Sequence, residues 1–318
     1  MQDRMPTSDG VYAAAKRIAD HVTRTPLLPL DWEGRRVWIK AECLQRGGSF
    51  KLRGATNRLM LLDADERARG VVAFSSGNHA QGVALAAQKL GMAATIVMPA
   101  DAPAVKVEGT RKAGAQIVFF DRATESREEI GARLAAEAGA TLVPSFDDVD
   151  VIEGQGSVGV EIRERLGHVP PLVAVPCGGG GLSGGIALAL PESRIVPVEP
   201  EGWDDMTRSL AGGEIVPVIE PAPPTRCDAL QTKRVSPLTF GALKAAGARG
   251  LAVSEEEVAE AMRFAFRHLR IVAEPGGSVA LAALISGKLG DVPDGSVIVV
   301  SGGNVDPAVY AEILGGGD

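Results

Sequence analysis

Cysteine is scarce in this 318-residue chain, with Cys43, Cys177 and Cys227 its only three. They are odd in number, widely spaced and in no C-x-x-C arrangement. That argues against a disulfide framework or a thiolate zinc site and fits free thiols in a reducing cytoplasm. The net charge of −7 comes with no basic block, so a nucleic-acid surface is not expected. No uninterrupted apolar run approaches the length of a membrane span, and the opening MQDRMPTSDG lacks a signal-peptide pattern. Internal repeats and low-complexity tracts are missing too. What remains is ordinary for a soluble globular protein: 45% apolar and 23% charged residues, in a length that suits two domains or lobes.

The pattern alternates between two periods from end to end. Short β-branched or apolar runs lie at 71–75, 94–98, 116–120, 141–145, 172–176, 195–199 and 297–301. Helical patterns fill the gaps at 79–90, 123–138, 152–166, 254–268 and 276–289. Strands separated by crossover helices imply an α/β protein with parallel sheets covered on both faces. The proline-rich stretch 212–226 reads as a surface loop.

In open α/β sheets ligands sit beyond the carboxyl ends of the strands, so the strand-ending loops carry the chemistry. Ser75-Ser76-Gly77-Asn78-His79 brings hydroxyls, an amide and backbone N–H groups to a helix start, where an anion such as a substrate carboxylate is favoured. One cap suffices for a helix, and this turn has several. Cys177-Gly178-Gly179-Gly180-Gly181-Leu182 follows an apolar strand directly, leaving N–H groups unobstructed for a phosphate. The same loop has a rival reading. Gly179, Gly181 and Gly184 satisfy G-x-G-x-x-G, and Glu199 ends the next strand at the distance a dinucleotide site requires. Ser301-Gly302-Gly303-Asn304 closes the last strand with a hydroxyl and two glycines. Upstream, Lys51 stands in Gly48-Ser49-Phe50-Lys51-Leu52-Arg53-Gly54-Ala55, just before an amphipathic run. Partial burial there would make it a neutral amine able to form a Schiff base, and a surface Lys/Arg pair is the plainer alternative.

Taken in order, these four segments resemble the fold type II pyridoxal-phosphate enzymes (tryptophan synthase β-like), in particular the serine/threonine dehydratase and serine racemase family. The similarity runs from about Thr25 to Asn304 and makes the nicotinamide reading minor. It implies two lobes with parallel-rich sheets, residues 69–148 forming the small one and 1–68 with 149–318 the large one. It implies that Lys51 carries the cofactor and removes the Cα proton. Phe50 and Asn78 would flank the cofactor ring, Gly178, Gly179, Gly180, Gly181 and Leu182 would hold its phosphate, and Ser301 would meet its ring nitrogen. The expected reaction is elimination of water from L-threonine, L-serine or 3-hydroxyaspartate, giving a 2-oxo acid and ammonia. The alternative is amino-acid racemisation, with Ser76 acting opposite Lys51. Substrate contacts are expected from Ser75, Ser76, Gly77, His79 and Arg127, the last resembling an arginine of 3-hydroxyaspartate dehydratases. Otherwise Arg127 is an i,i+4 surface pair. A homodimer is the family expectation.

Glu199, the carbonyl of Trp203 and Asp205 resemble a cation site of the racemase-type members, suited to Mg²⁺, Ca²⁺ or Mn²⁺. The plainer reading is an acidic cap on the following helix. Two departures stand out: Glu153 where relatives carry alanine, and two cations in Thr232-Lys233-Arg234 beside the expected substrate channel. Both are candidates for altered specificity.

Overall fold

The computed structural model describes residues 4–75, 77–102 and 104–316. Its strands are β1 (Leu27–Trp32), β2 (Arg35–Ala41), β3 (Val71–Phe74), β4 (Ala94–Pro99), β5 (Gln116–Phe120), β6 (Thr141–Leu142), β7 (Leu172–Pro176), β8 (Arg194–Pro200), β9 (Leu251–Val253) and β10 (Val297–Val300). They build a six-stranded sheet in the order β1-β2-β10-β7-β8-β9 and a four-stranded sheet in the order β5-β4-β3-β6. Every pairing is parallel except β1 with β2. β7 and β10 are buried along their whole length, which is why they read as continuous apolar runs and not as alternating ones.

The antiparallel β1–β2 hairpin was not among the expected strands. Its turn residues Glu33 and Gly34 both have positive φ, +50° and +79°, the geometry that matches the right-handed twist of a hairpin. Pro29 is tolerated because β1 is an edge strand. The helix expected at 123–138 begins at Arg127, where Ser126 accepts a hydrogen bond from the Glu129 N–H and so fixes the start.

The helix Pro275–Ile285 is apolar all round and packs in the large sheet's core against β7, β8 and β10. Two other helices are placed by close backbone contact. Lys51–Met60 and Gly181–Ala189 both pack on the long helix Val149–Leu166. A Cβ on Gly154 would lie 2.7 Å from the Gly54 Cα, and one on Gly185 would lie 2.6 Å from the Gly156 nitrogen. Only glycine lets these three backbones approach so closely, and side chains elsewhere on the helices then interlock.

A buried charge network locks the same arrangement. Arg53 donates to Glu42 Oε2 and Oε1 at 2.7 and 2.8 Å and to Glu161 Oε1 at 2.6 Å. Lys40 donates to Glu161 Oε2 at 2.5 Å, and Thr25 Oγ1 donates to Glu42. Burial alone would raise the Glu42 carboxyl, but Arg53 and Lys40 hold it below its ordinary value. Glu153, singled out as a specificity change, lies away from the cleft. It accepts hydrogen bonds from Arg4 and from the Thr7 N–H, so it ties the N-terminal segment to the long helix. The three cysteines are free and buried. Among the described residues no helix is long and apolar enough to cross a membrane.

Replacing Arg53 with methionine keeps much of its volume but removes the guanidinium from buried Glu42, leaving Glu161 to Lys40 alone. The expected loss is about 3–5 kcal/mol in chemical denaturation at fixed protein concentration; a loss below about 1 kcal/mol would show that the network is dispensable.

Candidate active site

β7 and β10 are neighbours in the middle of the large sheet, with β8 beyond one and β2 beyond the other. Loops leaving their C-terminal ends therefore frame a crevice at a switch in strand order. There the structure has a cleft of about 550 Å³. Phe50, Lys51, Ser75, Gly77, Asn78, His79, Arg127, Gly178, Gly179, Gly180, Gly181, Leu182 and Ser301 all line it. Ser76 lies outside the described residues. Glu199, Trp203 and Asp205 are not part of the cleft wall.

Lys51 is the first residue of its helix. Its amine donates to the Ser145 carbonyl at 2.9 Å and sits 5.2 Å from the Phe50 ring centroid. Lys51 keeps some surface toward the cleft, yet the crowding around its amine lowers its pKa from 10.5 to about 8. Among the described residues no carboxylate pairs with it.

Across the cleft Gly180 stands at φ +83° as the N-cap of the helix Gly181–Ala189 and offers no side-chain cap. The first-turn N–H groups are thus left without intrahelical acceptors. A Cβ on Gly180 would lie 2.7 Å from Met206 Cε, and one on Gly179 would run into the Phe146 ring. The loop is therefore an open row of donors walled by packed side chains, a form that fits a phosphate. Ser301 is buried at the end of β10, and its hydroxyl bonds to no described residue. Its carbonyl accepts from the Phe50 N–H at 3.2 Å, which joins the third loop to the lysine segment.

His79 Nε2 lies 2.9 Å from the Val143 carbonyl, so that nitrogen carries the proton and the buried Nδ1 is bare. Burial, with the nearby Lys51 charge, drops its pKa to about 3, so the ring is neutral. Arg127 is neither free nor in an i,i+4 pair. Its Nε donates to Glu128 at 2.8 Å and its guanidinium lies 5.6 Å from the Phe74 centroid.

Several residues of the site went unread in the sequence. Glu274 is buried at the start of the helix Pro275–Ile285, and Asn78 donates to its Oε1 at 2.5 Å. Its Oε2 has no partner among the described residues, and burial lifts the carboxyl to about 7. Ser145 and Phe146 come from the segment after β6, and Lys106 pairs with Asp228 across the cleft. A proline after Glu274 marks a helix start, but nothing local says that Asn78 will face it.

At the suspected cation site Glu199 takes the capping role itself. Its carboxylate accepts from the Met206 and Thr207 N–H groups at 3.0 and 2.7 Å and from the Thr207 hydroxyl. Asp205 accepts from the Val235 N–H at 2.9 Å, while its Oδ1 is buried without a partner among the described residues. Burial raises Glu199 to about 8 and Asp205 to about 6, each against opposing hydrogen bonds, and Asp205 adds repulsion at Glu199. Trp203 is held through its indole N–H on the Pro223 carbonyl at 2.9 Å. Among the described residues no cluster of three or more His, Cys, Asp or Glu side chains could hold a metal. The bare Asp205 oxygen is the feature there that fits a cation.

Comparison with known proteins is consistent along the whole chain. A model of the family described as pyridoxal-phosphate dependent enzyme matches residues 18–302. The L-threo-3-hydroxyaspartate ammonia-lyase of Pseudomonas sp. is 47% identical, over 96% of this chain and 98% of that protein. The Saccharomyces cerevisiae L-threo-3-hydroxyaspartate ammonia-lyase is 41% identical, over 98% of this chain and 97% of its own. Maize serine racemase superposes with a TM-score of 0.92 at 36% identity, covering 97% of each chain.

The lowered Lys51 pKa has a measurable consequence. Below pH 8 the amine is protonated in folded and unfolded chains alike; between about 8 and 10.5 only the unfolded chain holds the proton, so stability rises across that window. Condensation of a small aldehyde at Lys51, trapped by borohydride and read by mass spectrometry, should climb with a midpoint near pH 8. A midpoint near the ordinary lysine value of about 10.4 would refute the burial argument.

Proposed function

The chain belongs to the pyridoxal-phosphate dependent enzymes, and from that premise we propose that it is an ammonia-lyase. It eliminates water from a β-hydroxy amino acid and releases a 2-oxo acid and ammonia. We place 3-hydroxyaspartate first, ahead of L-threonine and L-serine, because the Pseudomonas and yeast relatives act on it. One observation carries the reading: a crowded amine of lowered pKa faces a glycine cradle across a single cleft.

When bound, pyridoxal phosphate supplies an aldehyde for the substrate amine and a ring that takes up the electron pair left at Cα. The chain's own residues do the rest. The N–H groups of Gly178, Gly179, Gly180, Gly181 and Leu182 would hold the cofactor's phosphate, Phe50 and Asn78 would border its ring, and the Ser301 hydroxyl would meet its ring nitrogen without ionising it. Ser75, Gly77 and the start of the helix Asn78–Leu90 bind the α-carboxylate, with neutral His79 beneath. Lys51 Nζ takes the Cα proton, and a pKa lowered by burial to about 8 gives it far more of the neutral form near physiological pH than an ordinary lysine has. The β-hydroxyl leaves with a proton as water, and hydrolysis of the unsaturated amine returns ammonia.

The lobe division belongs to the same proposal: 69–148 as the small lobe, supported by a sheet that lies wholly within β3–β6, and 1–68 with 149–318 as the large. A homodimer in the cytoplasm completes it, the buried free thiols favouring a reducing compartment. We assign Glu199, Asp205 and the Trp203 carbonyl to a divalent cation, Mg²⁺, Ca²⁺ or Mn²⁺, that neutralises two buried carboxylates and stiffens the large lobe.

Given pyridoxal phosphate and 3-hydroxyaspartate, the protein should release keto acid and ammonia in equal amounts, and Lys51→Ala should lower the rate more than about a hundredfold. Enantiomer appearing faster than keto acid would move the assignment to a racemase, with Ser76 as the second base. Adding Mg²⁺ to chelator-treated protein should raise its Tm, and Asp205→Ala should abolish that shift; an unchanged Tm in the parent protein would remove the cation from the proposal.

A further inference from the structure

We propose that Glu274 is a positioning residue: it orients the Asn78 amide toward the bound cofactor ring and passes changes in its own protonation to that ring. This rests on the reading that Asn78 borders the ring. Glu274 stands at the N-cap position of the helix Pro275–Ile285, yet its side chain makes no cap bond there. An N-cap side-chain oxygen ordinarily accepts from the first-turn N–H groups. This carboxyl is instead turned away, buried, and set into the wall of the cleft.

The hydrogen bonds that reach it run in one direction. Asn304 Nδ2 donates to the Gly47 carbonyl at 2.7 Å and to Asn78 Oδ1 at 2.8 Å. With its oxygen so occupied, Asn78 turns Nδ2 to Glu274 Oε1 at 2.5 Å. A flipped amide would set oxygen against carboxylate oxygen, so the two neighbours fix its orientation between them. Nδ2 carries two N–H bonds; Glu274 takes one, and among the described residues nothing takes the other. The pair is also held against the Ser301 loop. A Cβ on Gly302 would lie 2.0 Å from Glu274 Oε1 and 3.2 Å from Asn78 Nδ2. The Glu274 N–H donates to the Gly302 carbonyl at 3.0 Å, and the Ser301 N–H to the Gly277 carbonyl at 3.2 Å. Glu274 therefore joins two residues expected at the ring, Asn78 and Ser301, through one short stretch of fixed backbone.

Its charge is adjustable near neutral pH, where burial places the carboxyl at about 7. Four ionisable groups share its surroundings: Lys106 of the helix Ala104–Lys112, Asp228 of the turn Asp228–Leu230, and the thiols of Cys43 and Cys227. Lys106 favours the ionised carboxylate and Asp228 disfavours it, while burial raises both thiols and so keeps them neutral. Below about 7 the carboxyl carries a proton it can donate; above that both oxygens only accept. The N–H that Asn78 offers the ring is thus polarised by a full charge on one side of neutrality and by a dipole on the other.

The test reads the visible absorbance of the holoenzyme, and its affinity for pyridoxal phosphate, across neutral pH. In the parent protein the absorption bands should shift with a midpoint near pH 7. Glu274→Gln leaves an oxygen for Asn78 but cannot titrate, so the shift should vanish while cofactor affinity stays within about fivefold. Glu274→Ala removes the acceptor and should weaken that affinity about tenfold or more. Lys106→Met should raise the midpoint, because an attracting charge is lost and Asp228 is left unpaired. A shift that persists in Glu274→Gln, a parent protein without one, or parental affinity in Glu274→Ala overturns the proposal. Unchanged spectrum and affinity in Asn78→Ala would sink the reading of Asn78 itself, and the proposal with it.

Discussion

Arg53 is the point at which fold and cleft meet. It lies two residues beyond Lys51 on the same helix, fully buried, and its guanidinium is shared between Glu42 after β2 and Glu161 on the long helix. Taking such a group out of water costs several kcal/mol, and only multiple short hydrogen bonds offset that. The arrangement therefore tolerates little displacement. A shift of the Lys51 helix would break bonds to two other elements at once. The close glycine contacts at Gly154 and Gly185 act in the same direction, because the long helix positions the lysine helix on one side and the glycine-loop helix on the other. The amine and the glycine loop are thus held by one shared support, although they are far apart in the chain.

Burial removes charge from the wall of the cleft. Lys51 is lowered to about 8, His79 to about 3, and Glu274 is raised to about 7. The inner surface then presents neutral or easily neutralised groups, and the glycine loop offers backbone N–H donors in place of lysines. That division suits proton transfer. A base needs a pKa near the working pH, whereas a phosphate site built from fixed dipoles does not compete with it for protons. Full charges sit toward the rim, where most are paired.

The features legible in the sequence were local ones. Each strand-ending loop announces itself because strand, turn residues and helix start are contiguous: Val297–Val300 before Ser301, Leu172–Pro176 before Gly178. Lys51 was readable because its neighbours Phe50 and Gly54 are equally local. The glycine loop also matched a dinucleotide fingerprint, and only its company in the chain separated the two readings. Contacts made across the chain had no such signal. Glu274 against Asn78, and Lys51 against Ser145, join residues whose separation is set by the whole fold. Glu153 shows the opposite error: an unusual residue near a motif looked like a specificity change, and it anchors the N-terminal segment instead. The β1–β2 hairpin was missed because an edge strand with a proline carries a weak periodic signal.

The contacts along the cleft differ in kind from those within the apolar cores. Within, apolar side chains interlock around helices such as Pro275–Ile285. Across the cleft the bridges are polar: Lys51 to Ser145, Asn78 to Glu274, Lys106 to Asp228, and Asn304 to Asn78 and Gln81 at 2.8 and 3.1 Å. Polar contacts exchange with water at small net cost, whereas apolar contacts do not. The lysine helix is also held by apolar packing, since Leu52, Ala55 and Leu59 share a cluster with β3, β4 and the helix Asn78–Leu90. The bridges along the cleft therefore exchange with water, whereas the apolar side of the lysine helix does not.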